Sequence, residues 1–122
     1  MATVVTNAGK AVITNRIKGS GTEPSYVAWG TGAGTAAIAD TTLFTESAEA
    51  RTAGTSSQQT TTTTLDTYQV VGTITATAAR TITNAGLLDA SASGNLFIKG
   101  DFTGVVLANG ESIAFTIQCQ FS

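Results

Sequence analysis

From Ser112 to Phe121 polar and apolar residues alternate without interruption. Ile113, Phe115, Ile117, Cys119 and Phe121 fall on one side, and Ser112, Ala114, Thr116, Gln118 and Gln120 on the other. A helix repeats its apolar stripe every three to four residues, so a period of two over this length specifies a strand with one face in a core. Cys119 lies on the apolar side and reads as a small buried hydrophobe. A redox thiol needs an electropositive, exposed setting that no neighbour provides.

Other segments repeat the pattern. In Thr67–Ala78, Tyr68, Val70, Gly72, Ile74 and Ala76 share a face opposite Gln69, Val71, Thr73, Thr75 and Thr77. Asn95–Thr103 reads as a strand with Leu96, Ile98 and Phe102 on one face, and Gly104–Gly110 connects it to the last strand. Asn109-Gly110 is a strong turn signal, since both residues tolerate positive φ, and Ser91–Gly94 reads as a turn between two β-segments. Arg80–Leu88, Asn95–Thr103 and Glu111–Phe121 are therefore expected as a three-element antiparallel meander. Arg51–Thr64, ending in Thr60-Thr61-Thr62-Thr63-Thr64, reads as an exposed or edge strand, because β-branched threonine suits a half-wet pleat. Leu65-Asp66-Thr67 would then close a hairpin; the alternative for the run is a flexible linker.

The N-terminal third differs. Ala8, Val12, Ile13 and Ile17 approach helical spacing, Thr6 or Asn7 can cap the start, and Gly19 can end it. A short helix is expected in an N-terminal arm over residues 1–20, with a strand as the alternative. Ser25–Trp29 reads as a strand running into Gly30-Thr31-Gly32-Ala33-Gly34, and Thr35–Phe44 as loop with room for one helical turn. Six strands and one short helix in 122 residues predict one all-β, mainly antiparallel domain. A single β-sandwich of jelly-roll type over 1–122 fits best.

Composition removes many activities. The chain has no histidine and one cysteine, which excludes imidazole acid–base work, Ser-His-Asp and Cys-His arrangements, an intrachain disulfide and a thiolate zinc cage. Six basic against eight acidic residues make no positive stripe for nucleic acid. No apolar run approaches the roughly 20 residues that span a bilayer, and Met1–Thr6 lacks a signal peptide's basic region. Gly30–Gly34 does not have the spacing of a phosphate-binding loop. Asp40, Glu46 and Glu49 form one acidic group. Paired glycosidase carboxylates need burial, so a solvated face or a Glu49–Arg51 surface pair, worth under about 1 kcal/mol, is expected instead. No pattern supports metal binding there. Arg80 reads as a strand-end charge or a salt bridge to a partner subunit. Tyr26 and Trp29, three apart on a strand, face opposite ways, one toward the core and one available as a contact aromatic. No enzyme, cofactor or metal is expected.

Tyr26-Val27-Ala28-Trp29-Gly30-Thr31-Gly32, Thr41-Thr42-Leu43, Glu46, Glu49-Ala50-Arg51, Thr67–Thr73 and Ile82-Thr83-Asn84-Ala85-Gly86-Leu87-Leu88-Asp89 together carry a resemblance. The chain, from about Thr6 to Phe121, resembles small tailed-bacteriophage virion proteins, known as capsid decoration (cement) or tail-fibre-like structural proteins. The last stretch also recurs in tail-fibre proteins, typically with Glu where this chain has Asn84. The resemblance implies a jelly-roll sandwich on a virion. As a decoration protein it would bind the major capsid protein outside the shell, across capsomer boundaries, as a dimer or trimer. The Thr-rich strand would be an edge available for β-augmentation. Expected interface residues are Thr60, Thr61, Thr62, Thr63, Thr64, Arg51, Tyr26, Trp29, Arg80 and the N-terminal arm. Two rivals remain: a tail-fibre or baseplate module, for whose usual repetitive shaft 122 residues leave no room, and a lectin stacking sugar on Trp29 or Tyr26.

Overall fold

The alternating segments at Thr67 and Ser112 pair with each other. In the computed structural model, which describes residues 1–122, Thr67 faces Gln120 and Thr75 faces Ser112 in an unbroken antiparallel ladder. The strands are β1 (Thr3–Val5), β2 (Tyr26–Gly30), β3 (Thr52–Ala53), β4 (Thr55–Gln59), β5 (Thr67–Thr75), β6 (Arg80–Leu88), β7 (Leu96–Leu107) and β8 (Ser112–Gln120), with one helix, α1 (Asn7–Ile17). They form two antiparallel sheets, β1-β7-β6-β2-β3 and β4-β5-β8. The chain is thus an all-β sandwich with one short helix, as its periodicity predicts.

The main core fills the space between the sheets. Val27, Trp29, Ile82, Leu87, Phe97 and Ile98 of the larger sheet meet Val70, Ile74 and Cys119 of the smaller. Phe97 and Ile98 are adjacent yet both belong to this core, because the pairing skips Phe97: Leu87 faces Ile98 and Leu88 faces Leu96. Such a bulge turns one extra side chain inward, so Leu96 faces the opposite side from Ile98 and Phe102 and the single shared face expected for these three is not formed. The far side of the larger sheet carries a second apolar group, Ala28, Leu43, Leu88 and Leu96, under the long segment between β2 and β3.

Two further expectations change. Arg80–Leu88 and Asn95–Thr103 do pair, but the third member of the expected meander does not follow them. β7 runs on to Leu107, and after the turn at Asn109-Gly110 the chain enters the other sheet, where Ala76 N–H donates to Glu111 O. β5 supplies an unpaired edge there, whereas β7 already has β6 and β1 beside it. Second, the Arg51–Thr64 run is not one strand. It divides into β3, the edge strand β4 and a loop at Thr60–Thr64, so the β4–β5 hairpin is closed by Thr60–Asp66 and not by three residues.

The N-terminal segment is packed on both sides of Thr6. β1 adds to β7, with Thr3 facing Gly100. The fully buried Thr6 hydroxyl then accepts from Gly9 N–H at 2.9 Å as the helix N-cap and donates to Leu96 O at 2.5 Å. Gly9 is required at this crossing, since a Cβ there would run into the carbonyl of Phe97. Gly19, at φ +94°, follows the Lys18 cap. Thr6→Val keeps the shape and loses both hydrogen bonds. It should lower stability by about 1–3 kcal/mol in denaturant unfolding, with Thr6→Ser recovering most of the loss.

Candidate functional site

The segment from Thr31 to Arg51 covers the far side of the larger sheet with almost no regular structure. It is held by polar side chains that reach across from the strands. Asn84, fully buried, accepts from Phe44 N–H and donates to Phe44 O, each at 3.0 Å, as a neighbouring strand would. The amide supplies both a donor and an acceptor for that pair; an ionised Glu would offer acceptors alone. Gly32 and Gly34 lie against Phe44, where a Cβ would collide with it. The glycines of Gly30–Gly34 therefore serve close packing.

The acidic group expected from the sequence is dispersed onto three different cations. Asp40 meets Lys99 Nζ at 2.9 Å, Glu46 takes Arg51 through both oxygens at 2.8 and 2.9 Å, and Glu49 meets Arg80 Nε at 3.1 Å. The expected Glu49–Arg51 pair does not form, because β6 places Arg80 beside Glu49 while Arg51 points to the 89–93 turn. There its Nη1 donates to the carbonyls of Ala90 and Ser93. Lys99 is 1% exposed, also donates to Thr42 O at 2.8 Å, and sits 3.2 Å from the Phe44 ring centre. Asp40 is held below the ordinary carboxylate range by the Ala37 amide first and Lys99 second. No group of three potential metal-ligating side chains forms.

Glu49 is solvated by protein donors. Burial alone would raise its pKa. Donors from Ser47, Thr77 and Trp29 outweigh that and hold it far below the usual range. Trp29 Nε1 donates to it at 2.9 Å, Thr77 Oγ1 at 2.8 Å and Thr77 N–H at 3.2 Å. Trp29 is 1% exposed and packs edge-on against Phe115. It is therefore neither a contact aromatic nor a sugar platform, because its indole is used inside the sandwich. Tyr26 lies on the opposite face of β2 and is half-buried, as the spacing requires.

Arg51 and Arg80 bind within the chain: both guanidinia are largely enclosed, and the carboxylates they pair with are their own. Thr60–Thr64 stays exposed but is a loop, because Asp66 gathers three successive backbone amides. Thr61 N–H donates to Oδ1 at 2.9 Å; Thr62 and Thr63 donate to Oδ2 at 3.1 and 3.0 Å. Those bonds, with Thr63 first, lower the Asp66 pKa strongly. The amides are thus unavailable for β-augmentation at this run.

Three strands instead present one continuous surface. On the outer side of the smaller sheet stand Thr55 and Ser57 of β4, Gln69, Val71, Thr73 and Thr75 of β5, and Ser112, Ala114, Thr116, Gln118 and Gln120 of β8. None is charged, and all but the half-buried Gln69 are exposed. Gln118 donates to Gln69, and Gln120 reaches Thr62 and Asp66, so the Thr60–Thr64 loop borders this face at one end. Tyr26, Trp29, Arg51 and Arg80 belong to the other sheet or its covering segment. Of the expected interface residues, only the threonines adjoin the flat face.

Sequence reading missed Asp66, Lys99 and the role of Asn84. A lysine inside the apolar run Leu96-Phe97-Ile98-Lys99 signals a buried partner, and an aspartate just after a polar run signals captured amides. Comparison with family models, curated proteins and solved structures yields no match. No helix is long and apolar enough to cross a membrane.

The folded Glu49 pKa lies below the unfolded value of about 4.3. Its contribution is therefore complete above that value and disappears as the pH falls through the folded pKa. Glu49→Gln should cost about 3 kcal/mol at neutral pH and flatten the acid side of the stability–pH curve, measured by urea unfolding. Asp66→Ala should remove hydrogen-exchange protection at the Thr61, Thr62 and Thr63 amides while leaving the β5 amides slow.

Proposed function

We propose that the chain is a bacteriophage capsid decoration (cement) protein that binds the outer surface of the major capsid shell as a homo-oligomer and stabilises it. The observation that carries this reading is the uncharged Thr/Ser/Gln face of the smaller sheet. Such a face suits a broad, moderately polar protein interface, where hydroxyl and amide groups exchange water for partner groups with no charge to desolvate. The sequence resemblance supplies the virion context. Stabilisation follows from repetition: each copy adds modest contact energy across a capsomer boundary, and the symmetry of the shell multiplies it. Lys99, Arg51 and Arg80 pair with carboxylates on the larger sheet and its covering segment, away from this face.

Copy number in purified particles, by quantitative mass spectrometry against the major capsid protein, tests the reading. A count on the order of hundreds, as shell symmetry requires, is expected. A few to a few tens would place the protein on the tail as a fibre or baseplate component, and absence from particles would end both assignments. Thr73→Glu, which puts a charge at the middle of the face, should lower occupancy of decoration-free shells by about tenfold with an unchanged melting curve.

A further inference from the structure

β8 is bonded on one side only. Phe121 N–H donates to Asp66 O and Ala76 N–H to Glu111 O, which frame the ladder with β5. In an antiparallel ladder alternate residues exchange the bonds, so the odd-numbered residues of β8 face β5. Ser112, Ala114, Thr116, Gln118 and Gln120 consequently point their backbone N–H and C=O groups away from the sheet, where no other strand lies.

Edge strands of this length are normally protected by proline, charge, a bulge or a cover. β8 lacks the first three: Ser112–Gln120 contains no proline and no charged residue, and its pairing with β5 is regular. The remaining edges are shorter. β1 has three residues, β3 two and β4 five. The sandwich is also incompletely closed beneath β8, where a cavity of about 220 Å³ is bounded by Phe102, Phe115 and Ile117 beside Thr3.

We propose that β8 is a self-pairing edge, on which a second copy of this chain docks antiparallel through its own β8 about a two-fold axis at Thr116. The occupant follows from the strand's self-complementarity. Because only even-numbered residues have free backbone groups, only registers that set even against even can bond. With Thr116 on the axis, Ser112 faces the second copy's Gln120 and Ala114 its Gln118. Ile113 then lies opposite Cys119 and Phe115 opposite Ile117, so apolar meets apolar along the inner side and no like charges meet. A shift of two residues in either direction shortens the ladder. The two three-stranded sheets become one continuous sheet, and the uncharged face doubles in width. This pairing does not rest on the capsid assignment, since it is read on the purified chain, whereas that assignment is read on particles.

Sedimentation equilibrium of the full chain should give a dimer, with the Ala114, Thr116 and Gln118 amides protected from hydrogen exchange. Thr116→Pro removes an N–H that β5 does not use, a substitution edge strands accept, and should weaken association at least tenfold with the monomer still folded. In a Cys119→Ala background, Thr116→Cys should oxidise to a covalent dimer, because bonded antiparallel partners lie about 5.5 Å apart at Cα. Thr73→Cys, on the same face one strand away, should not. The cross-linking pair decides the question even where the proline variant fails to fold. A monomer at all concentrations, a trimer, a dimer that survives Thr116→Pro, equal cross-linking at Thr73, or β8 protection that arises only on a capsid would each overturn the proposal.

Discussion

A sheet that is apolar on both faces has to be covered twice, and that requirement organises this protein. β6 and β7 carry Leu87 and Phe97 toward one side and Leu88 and Leu96 toward the other. The smaller sheet covers the first side. The second falls to the Thr31–Arg51 segment, which has almost no internal hydrogen-bond ladder of its own. Buried backbone groups without partners each cost roughly 1–3 kcal/mol, so the cover is stable only because side chains from the sheet complete it. Asn84 acts as a surrogate strand, Lys99 binds a carbonyl and a carboxylate, and Asp101 accepts from Ala36 N–H at 2.7 Å. No buried side-chain nitrogen or oxygen is left without a partner.

The same constraint explains the distribution of charge. With only 14 charged residues, the chain engages Lys99, Arg51 and Arg80 with Asp40, Glu46 and Glu49 on one side of the molecule. Breaking such enclosed pairs is costly because the remaining charge is stranded. The outer face of the smaller sheet carries no charged residue, and Asp66 borders it at one end. The proposed contacts with a shell and with a second copy both use this neutral face or its edge.

Local pattern was legible wherever burial followed a period. The alternation in β5 and β8 named their inward residues, Thr6 and Gly19 marked the ends of α1, and Asn109-Gly110 marked a turn. The opposite orientation of Tyr26 and Trp29 followed from strand geometry alone. Phe121, although in phase with the β8 core residues, is exposed because the ladder ends at Gln120. The candidate site was less legible. Asp40 and Lys99 are 59 positions apart, and Glu49 and Arg80 are 31 apart, so spacing could not show that they meet.

What the sequence determined by itself was fold class and the periodic strands and helix, since the apolar period, the caps and the turn residues act over a few neighbours. What only the tertiary structure decided was partnership. It sent β8 to β5 instead of β7, assigned each cation its carboxylate, buried Trp29 and turned the threonine run into a loop around Asp66. Each outcome depends on which distant backbone edge or polar atom is still unpaired when the sheets close, and that is a property of the assembled chain.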